Sequence, residues 1–180
     1  MVILLGFMHF YRTHKCGEIT VKDLEKQVKI AGFLHNKRDH GGLLFLDIRD
    51  HYGVVQVVVS NADQIETASK IKLESILLIE GVVVKRVEGT INSELKTGEI
   101  EIKLSDLKIE NEAETLPFVI NNPSEQIGEE VRLEYRFLDL RREKMHQNII
   151  LRCNVISEVR RLMNEAGFME FQTPILTASS

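Results

Sequence analysis

The chain has 180 residues, 43% hydrophobic and 28% charged, with a net charge of −4, a composition ordinary for a globular protein with room for one domain and part of another. The acidic balance, with a pI near 5.9, excludes a protein that grips duplex nucleic acid through bulk charge. Any nucleic-acid role has to rest on local basic residues, stacking and hydrogen bonds, and no DNA partner is expected. Cys16 and Cys153 stand far apart without C-x-x-C spacing, so neither a disulfide framework nor a zinc site is expected, and a cytoplasmic location fits. His14 beside Cys16 has no second ligand pair, and no metal site is expected.

The opening run MVILLGFMHF is apolar but short of the roughly 20 residues that span a bilayer, and it lacks the features of a signal peptide. Residues 1–16 are read as an N-terminal extension, with Met8 as competent a start as Met1, and no membrane partner is expected. Thr20 and Asp23 stand in capping-box spacing at the head of a short helical turn. Alternation follows. Val28, Ile30, Gly32 and Leu34 share one face of a first strand, and a polar loop HNKRDHGG leads to a second strand. There Leu44, Leu46 and Ile48 point inward and Leu43, Phe45, Asp47 and Arg49 outward. A turn at Asp50, His51, Tyr52 and Gly53 leads to a third strand, with Val55, Val57 and Val59 on one side and Val54, Gln56 and Val58 on the other. Gln56 stands mid-strand among valines, so its amide either meets solvent or is paired.

Ser60 with Asp63 is read as the start of a helix through NADQIETASKIKLES. The run from Ile76 is almost continuously aliphatic around Gly81, a candidate bend or bulge in a closing barrel. After a turn-rich stretch, Ile100, Ile102 and Leu104 alternate with Glu99, Glu101 and Lys103 in a half-buried strand. Five strands with a helix between the third and fourth is the order of an OB-fold barrel, assigned to 17–114. Such barrels bind on the strand 2–3 surface, beside the first and fourth connecting loops. An aromatic and an amide on that surface, Phe45 and Gln56, near Lys37 and Arg38, suit the reading of an unpaired base.

TLPFVINNPSE contains two of the three prolines and opens a linker or hinge over 115–142. Met145, Ile149, Cys153, Ile156, Val159 and Met163 then recur at helical spacing, with Gly167 at the C-terminal cap. Residues 168–171 read as a strand running into Thr173, Pro174, Ile175 and Leu176. The fold class is therefore mainly β plus α. It comprises an OB-fold barrel, a linker, and over 143–180 the truncated start of a second, α/β domain.

The runs RLEYRFLDLRR and GFMEFQTPILTASS resemble the entry to the catalytic domain of bacterial-type aspartyl-tRNA synthetases. GFLHNKRDHGGLLFLDIRDHYGVVQVV and KTGEIEI resemble that family's anticodon-binding barrel. The likeness covers roughly 11–180. YRFLDLR is shared by the aspartyl, asparaginyl and lysyl enzymes of class IIb, and its combination with RDHGGLLFLDIRD and TPILTASS points to the aspartyl branch. The resemblance implies that the helix and strand ending at Pro174 form motif 1, which builds the homodimer interface. It implies that Arg38, Phe45, Gln56, Lys37 and Arg86 contact the anticodon of tRNA-Asp. Val84 stands where some relatives carry a basic residue, with Lys85 and Arg86 beside it to compensate. His40 and Gly89 match the pattern of enzymes that charge both tRNA-Asp and tRNA-Asn. The ATP- and aspartate-binding residues of motifs 2 and 3 fall beyond Ser180. These residues alone are expected to contain no catalytic group and no cofactor site; the full-length parent would use ATP and Mg²⁺. The alternatives are a free-standing OB-fold module for RNA or single strands, and a lysyl or asparaginyl relative. Continuation of the reading frame past Ser180 into motifs 2 and 3 separates the ligase from the module.

Overall fold

A computed structural model of the protein describes residues 10–122 and 126–172, in two compact units, Met1–Leu116 and Pro117–Ser180. In the first, the alternating segments become β1 (Gln27–Asp39), β2 (Leu44–Asp50), β3 (Gly53–Val59), β4 (Ile76–Lys85) and β5 (Ile100–Asn111). They close into a barrel in the order β1-β2-β3-β5-β4, with β4 hydrogen-bonded back to β1. All pairs run antiparallel except β3 with β5. Inward positions fill the interior: Ile30, Leu34, Leu46, Ile48, Val57 and Ile102 are fully buried. Burial of each such side chain stabilises the barrel by about 1.5–3 kcal/mol relative to exposure.

The polar stretch expected as a loop after the first strand is shorter than its composition suggests. β1 runs to Asp39, and the turn is His40, Gly41, Gly42 and Leu43, closed by the His40 N–H donating to the Leu43 carbonyl at 2.9 Å. Leu34 stands opposite Ile48 but Asn36 opposite Asp47, so His35 is an extra residue in a β-bulge. A bulge inverts the in/out parity beyond it. Lys37 then pairs with inward Leu46, and Arg38 with outward Phe45. The inversion hides the strand from an alternation test.

Gly81 lies at a second irregularity, where Ser105 is the extra residue of β5. A Cβ there would stand 2.4 Å from the Lys103 carbonyl oxygen, so the two strands close only over glycine. The expected helix is α1 (Ala62–Lys70), but Asn61 rather than Ser60 caps it, accepting from the N–H groups of Asp63 and Gln64. Before the barrel, the Thr20 and Asp23 capping box forms as expected, on a 3-10 turn. Asp50 accepts from the Cys16 N–H at 3.0 Å. Burial pushes the Cys16 thiol far above its usual range.

In the second unit, part of the stretch expected as linker is helical: α2 (Glu129–Glu134) and α3 (Arg136–Asp139) precede α4 (Glu143–Glu165). Asp139 is fully buried. It accepts from Arg132 Nε at 3.0 Å and Arg136 Nη1 at 3.0 Å, with Arg142 Nη1 3.6 Å away. Burial, the largest influence, pushes the carboxyl up, but the three guanidinium groups together hold it below the usual carboxylate range. α4 ends as expected at Gly167, whose φ is +87°, with the Phe168 N–H donating to the Met163 carbonyl at 3.0 Å. Its apolar positions Ile149, Ile156, Val159 and Met163 are exposed. The strand expected over 168–171 is absent: residues 168–172 carry no strand assignment, because a strand needs a hydrogen-bonding neighbour and none is present among the described residues. Pro174, like Met1 and Met8, lies outside the described residues.

Candidate nucleic-acid interface

Cross-strand register decides which side chains share the outer face of β1, β2 and β3. One row runs Arg38, Phe45, Val58, Lys103; the next runs Asn36, Asp47, Gln56. Phe45 is half-buried, flanked edge-on by the His40 ring with centroids 5.7 Å apart and planes at 74°. A base stacked on an aromatic ring is worth about 1–3 kcal/mol.

Gln56 is 7% exposed and paired at both ends of its amide. Arg38 Nη2 donates to Asp47 Oδ1 at 3.0 Å and Oδ2 at 3.2 Å, and to Gln56 Oε1 at 3.2 Å. On the far side Gln56 Nε2 donates to Glu101 Oε2 at 2.9 Å. One lone pair of Oε1 and one hydrogen of Nε2 remain, an acceptor and a donor side by side. Burial pushes the Asp47 carboxyl above its usual value, opposed by the Arg38 and Arg86 guanidiniums. Two cations and two carboxylates leave the cluster neutral, so it selects by hydrogen bonding rather than by net charge.

The other sequence-expected residues fall in three places. Arg86 lies inside this cluster but beneath the surface, 5% exposed. Its Nε donates to the Ile100 carbonyl at 2.9 Å, while Nη2 is buried without a hydrogen-bond partner. Burial holds the Arg86 guanidinium below its usual value, against the pull of Glu101 and Asp47. Lys37 points elsewhere: its Nζ donates to the carbonyls of Ser69 and Ile71, at 2.7 Å for the latter, at the C-terminal end of α1. There it satisfies carbonyls that the helix leaves open and complements the helix dipole. Gly89, between β4 and β5, has φ +91° and nothing within 4 Å of where a Cβ would stand. Val84 is the cross-strand partner of Glu101. Asp47, Glu101 and Lys103 join the site through register alone. The sequence shows Asp47 and Glu101 only as outward positions of their strands. Among the described residues no group of three or more His, Cys, Asp or Glu is placed to hold a metal ion, and no helix is long and apolar enough to cross a membrane.

A closed five-stranded barrel of this strand order, with an aromatic and a neutral hydrogen-bonding cluster on its outer face, is the architecture of an OB domain. Residues 28–110 match the family described as OB-fold nucleic acid binding domain, and residues 128–180 match tRNA synthetases class II (D, K and N). The two matched segments are thus similar to an OB-fold nucleic acid binding domain and to the opening of a class II tRNA synthetase of the D, K and N group. The curated relatives that the chain resembles are aspartate–tRNA ligases. It is 53% identical over 175 residues to the aspartate–tRNA(Asp/Asn) ligase of Rickettsia conorii, covering 96% of this chain and 29% of that protein. It is 53% identical over 176 residues to the enzyme of that name from Orientia tsutsugamushi, with the same coverage. The chain therefore spans about 29% of the length of these curated relatives. Among solved structures it is similar to asparaginyl-tRNA synthetase from Pyrococcus horikoshii, with a TM-score of 0.77 and 27% identity over 91% of this chain and 38% of that one.

Proposed function

We propose that this chain is the anticodon-reading part of an aspartate–tRNA ligase. The observation that carries the proposal is the convergence of Arg38, Phe45 and Gln56 on one outer barrel face, with Arg38 hydrogen-bonded to Gln56. Phe45 stacks on an unpaired base, Gln56 reads its edge, and Arg86 lends the cluster a buried donor. In the anticodons for Asp and Asn the central base is uridine, whose imide edge offers a donor beside acceptors, the complement of the two vacancies on Gln56. The parent enzyme activates aspartate with ATP and Mg²⁺ to aspartyl-adenylate and transfers it to the terminal adenosine of tRNA, acting in the cytoplasm. It works as a homodimer through the motif 1 segment, α4 and Pro174. The division into a barrel domain over 17–114, a hinge over 115–142 and the opening of the catalytic domain over 143–180 belongs to the same proposal.

The reading extends to tRNA-Asn. His40 packs on Phe45 beside the base-reading face, Gly89 leaves open space in the fourth connection, and the Rickettsia and Orientia relatives carry Asp/Asn in their names. Two measurements test the proposal. Phe45→Ala and Gln56→Ala should each weaken binding of an Asp anticodon stem-loop by about tenfold or more while the barrel stays folded; unchanged affinity in both removes the recognition argument. The longer protein should aspartylate both purified tRNAs, and strict selectivity for tRNA-Asp refutes the extension.

A further inference from the structure

An amide side chain reads a base only if something decides which end is oxygen and which is nitrogen. Free in water, a glutamine exchanges the two by rotating about its last bond, and presents donor-then-acceptor as readily as acceptor-then-donor. Gln56 has no such freedom. Arg38 is a donor without acceptor capacity, so the amide atom beside it has to be oxygen; the ionised Glu101 is an acceptor only, so the atom beside it has to be nitrogen. Arg38 is itself held by both oxygens of Asp47, at 3.0 and 3.2 Å. Asp47 and Glu101 come from different strands, β2 and β5; Asp47 acts on Gln56 through Arg38 and Glu101 holds it directly, in a setting 7% exposed.

We infer that Asp47 and Glu101 are positioning residues that lock the Gln56 amide in a single orientation, so that the face prefers a base with an imide edge over one with an amino edge. This rests on the anticodon reading above and deepens it. The amino-edged pyrimidine presents a donor where the imide-edged one presents an acceptor, and an acceptor in place of its imino donor. Against a locked amide it leaves a buried donor facing a donor. A reversed amide would accommodate it, but that requires Arg38 Nη2 to face an NH₂ group and Glu101 to face a carbonyl oxygen, two repulsive contacts in a dry site.

The test measures binding of the chain to two anticodon stem-loops that differ only in having uridine or cytidine at the central position. Unaltered protein should prefer uridine by about five- to 150-fold, the discrimination one good bidentate contact supplies. Gln56→Ala should abolish the preference. Asp47→Ala and Glu101→Ala should each cut it to within about threefold of unity while the cytidine loop binds as well as before or better. A merely structural role would instead weaken both loops together. Asp47→Asn, which keeps an oxygen for Arg38, should restore most of the preference. If an alanine variant fails to fold, Glu101→Gln decides: its amide can face Gln56 with either end, and the preference should fall as for Glu101→Ala. An unaltered ratio in Asp47→Ala and Glu101→Ala, alongside a collapsed ratio in Gln56→Ala, overturns the lock and leaves the base reading standing. No preference in unaltered protein, or one that survives Gln56→Ala, overturns both.

Discussion

Replacing Lys37 with methionine separates the barrel's architecture from its chemistry. The residue sits in a basic pair with Arg38, yet as strand neighbours the two point to opposite sides of β1, and the bulge at His35 puts Arg38 on the outer one. Its ammonium donates to the carbonyls of Ser69 and Ile71 at the end of α1. Methionine keeps the aliphatic stem and removes the charge and both hydrogen bonds. A hydrogen bond to a charged group contributes about 1.5–3 kcal/mol, and a cation at a helix C-terminus about 0.3–1 kcal/mol. With Lys37 half-buried and solvent able to reach Ser69, the combined loss should be about 2 kcal/mol after allowance for screening. For a barrel of this size that lowers Tm by roughly 10 °C, read by circular dichroism in the β-sheet region. Anticodon stem-loop affinity at 20 °C should stay within about twofold, because nothing on the outer face moves. An unchanged Tm with a tenfold loss of RNA affinity refutes the assignment and makes Lys37 an RNA contact.

Other outcomes follow from neighbouring features. Lys103, exposed beside Val58 on the outer face, should act as a phosphate contact: Lys103→Ala should weaken all stem-loops equally and lower the slope of log affinity against log salt by about 1, whereas a change in base preference would contradict that role. Gly89→Ala should cost about 1 kcal/mol in chemical unfolding through its left-handed backbone alone, since the space around it is open; a cost near zero would mean the loop relaxes its φ. Asp139, whose carboxyl is depressed by three arginines, contributes stability that is present above the ordinary aspartate range and lost as pH falls through its lower folded value. Asp139→Asn should therefore speed exchange of the α3 amides by roughly tenfold at pH 7, with the difference vanishing in strong acid; a difference that persists there would rule out the charge as its cause. A thiol reagent should label buried Cys16 only on unfolding, and rapid labelling would show that the packing around Cys16 opens.

The barrel was legible in the chain because period-two alternation with β-branched residues survives in β2, β3 and β5, and because Gly81 marked a close strand crossing. Phe45 and Gln56 were placed on one face by parity alone. Parity failed where an extra residue intervened: the bulge at His35 is invisible to alternation, so Lys37 and Arg38 read as equivalent loop cations although one caps a helix and the other enters the site. Asp47 and Glu101 were readable only as outward positions, since their meeting through Arg38 and Gln56 depends on the register between β2, β3 and β5. Arg86 was expected at the anticodon from resemblance, and nothing in its local sequence signals that it is buried. α4 showed its period plainly, but a helix period says nothing of what covers the apolar face. The strand after Gly167 was expected from composition, which cannot supply the neighbour that strand would need.

The most direct test of the central claim is to titrate isotopically labelled protein with an Asp anticodon stem-loop and follow the backbone amide resonances. The account predicts shifts concentrated at Arg38, His40, Phe45, Asp47, Gln56 and Glu101, with the α1 end and the opposite barrel wall unmoved, and with the same pattern weaker for a loop whose central uridine is replaced. Shifts centred elsewhere on the barrel, or none at saturating RNA, would contradict it.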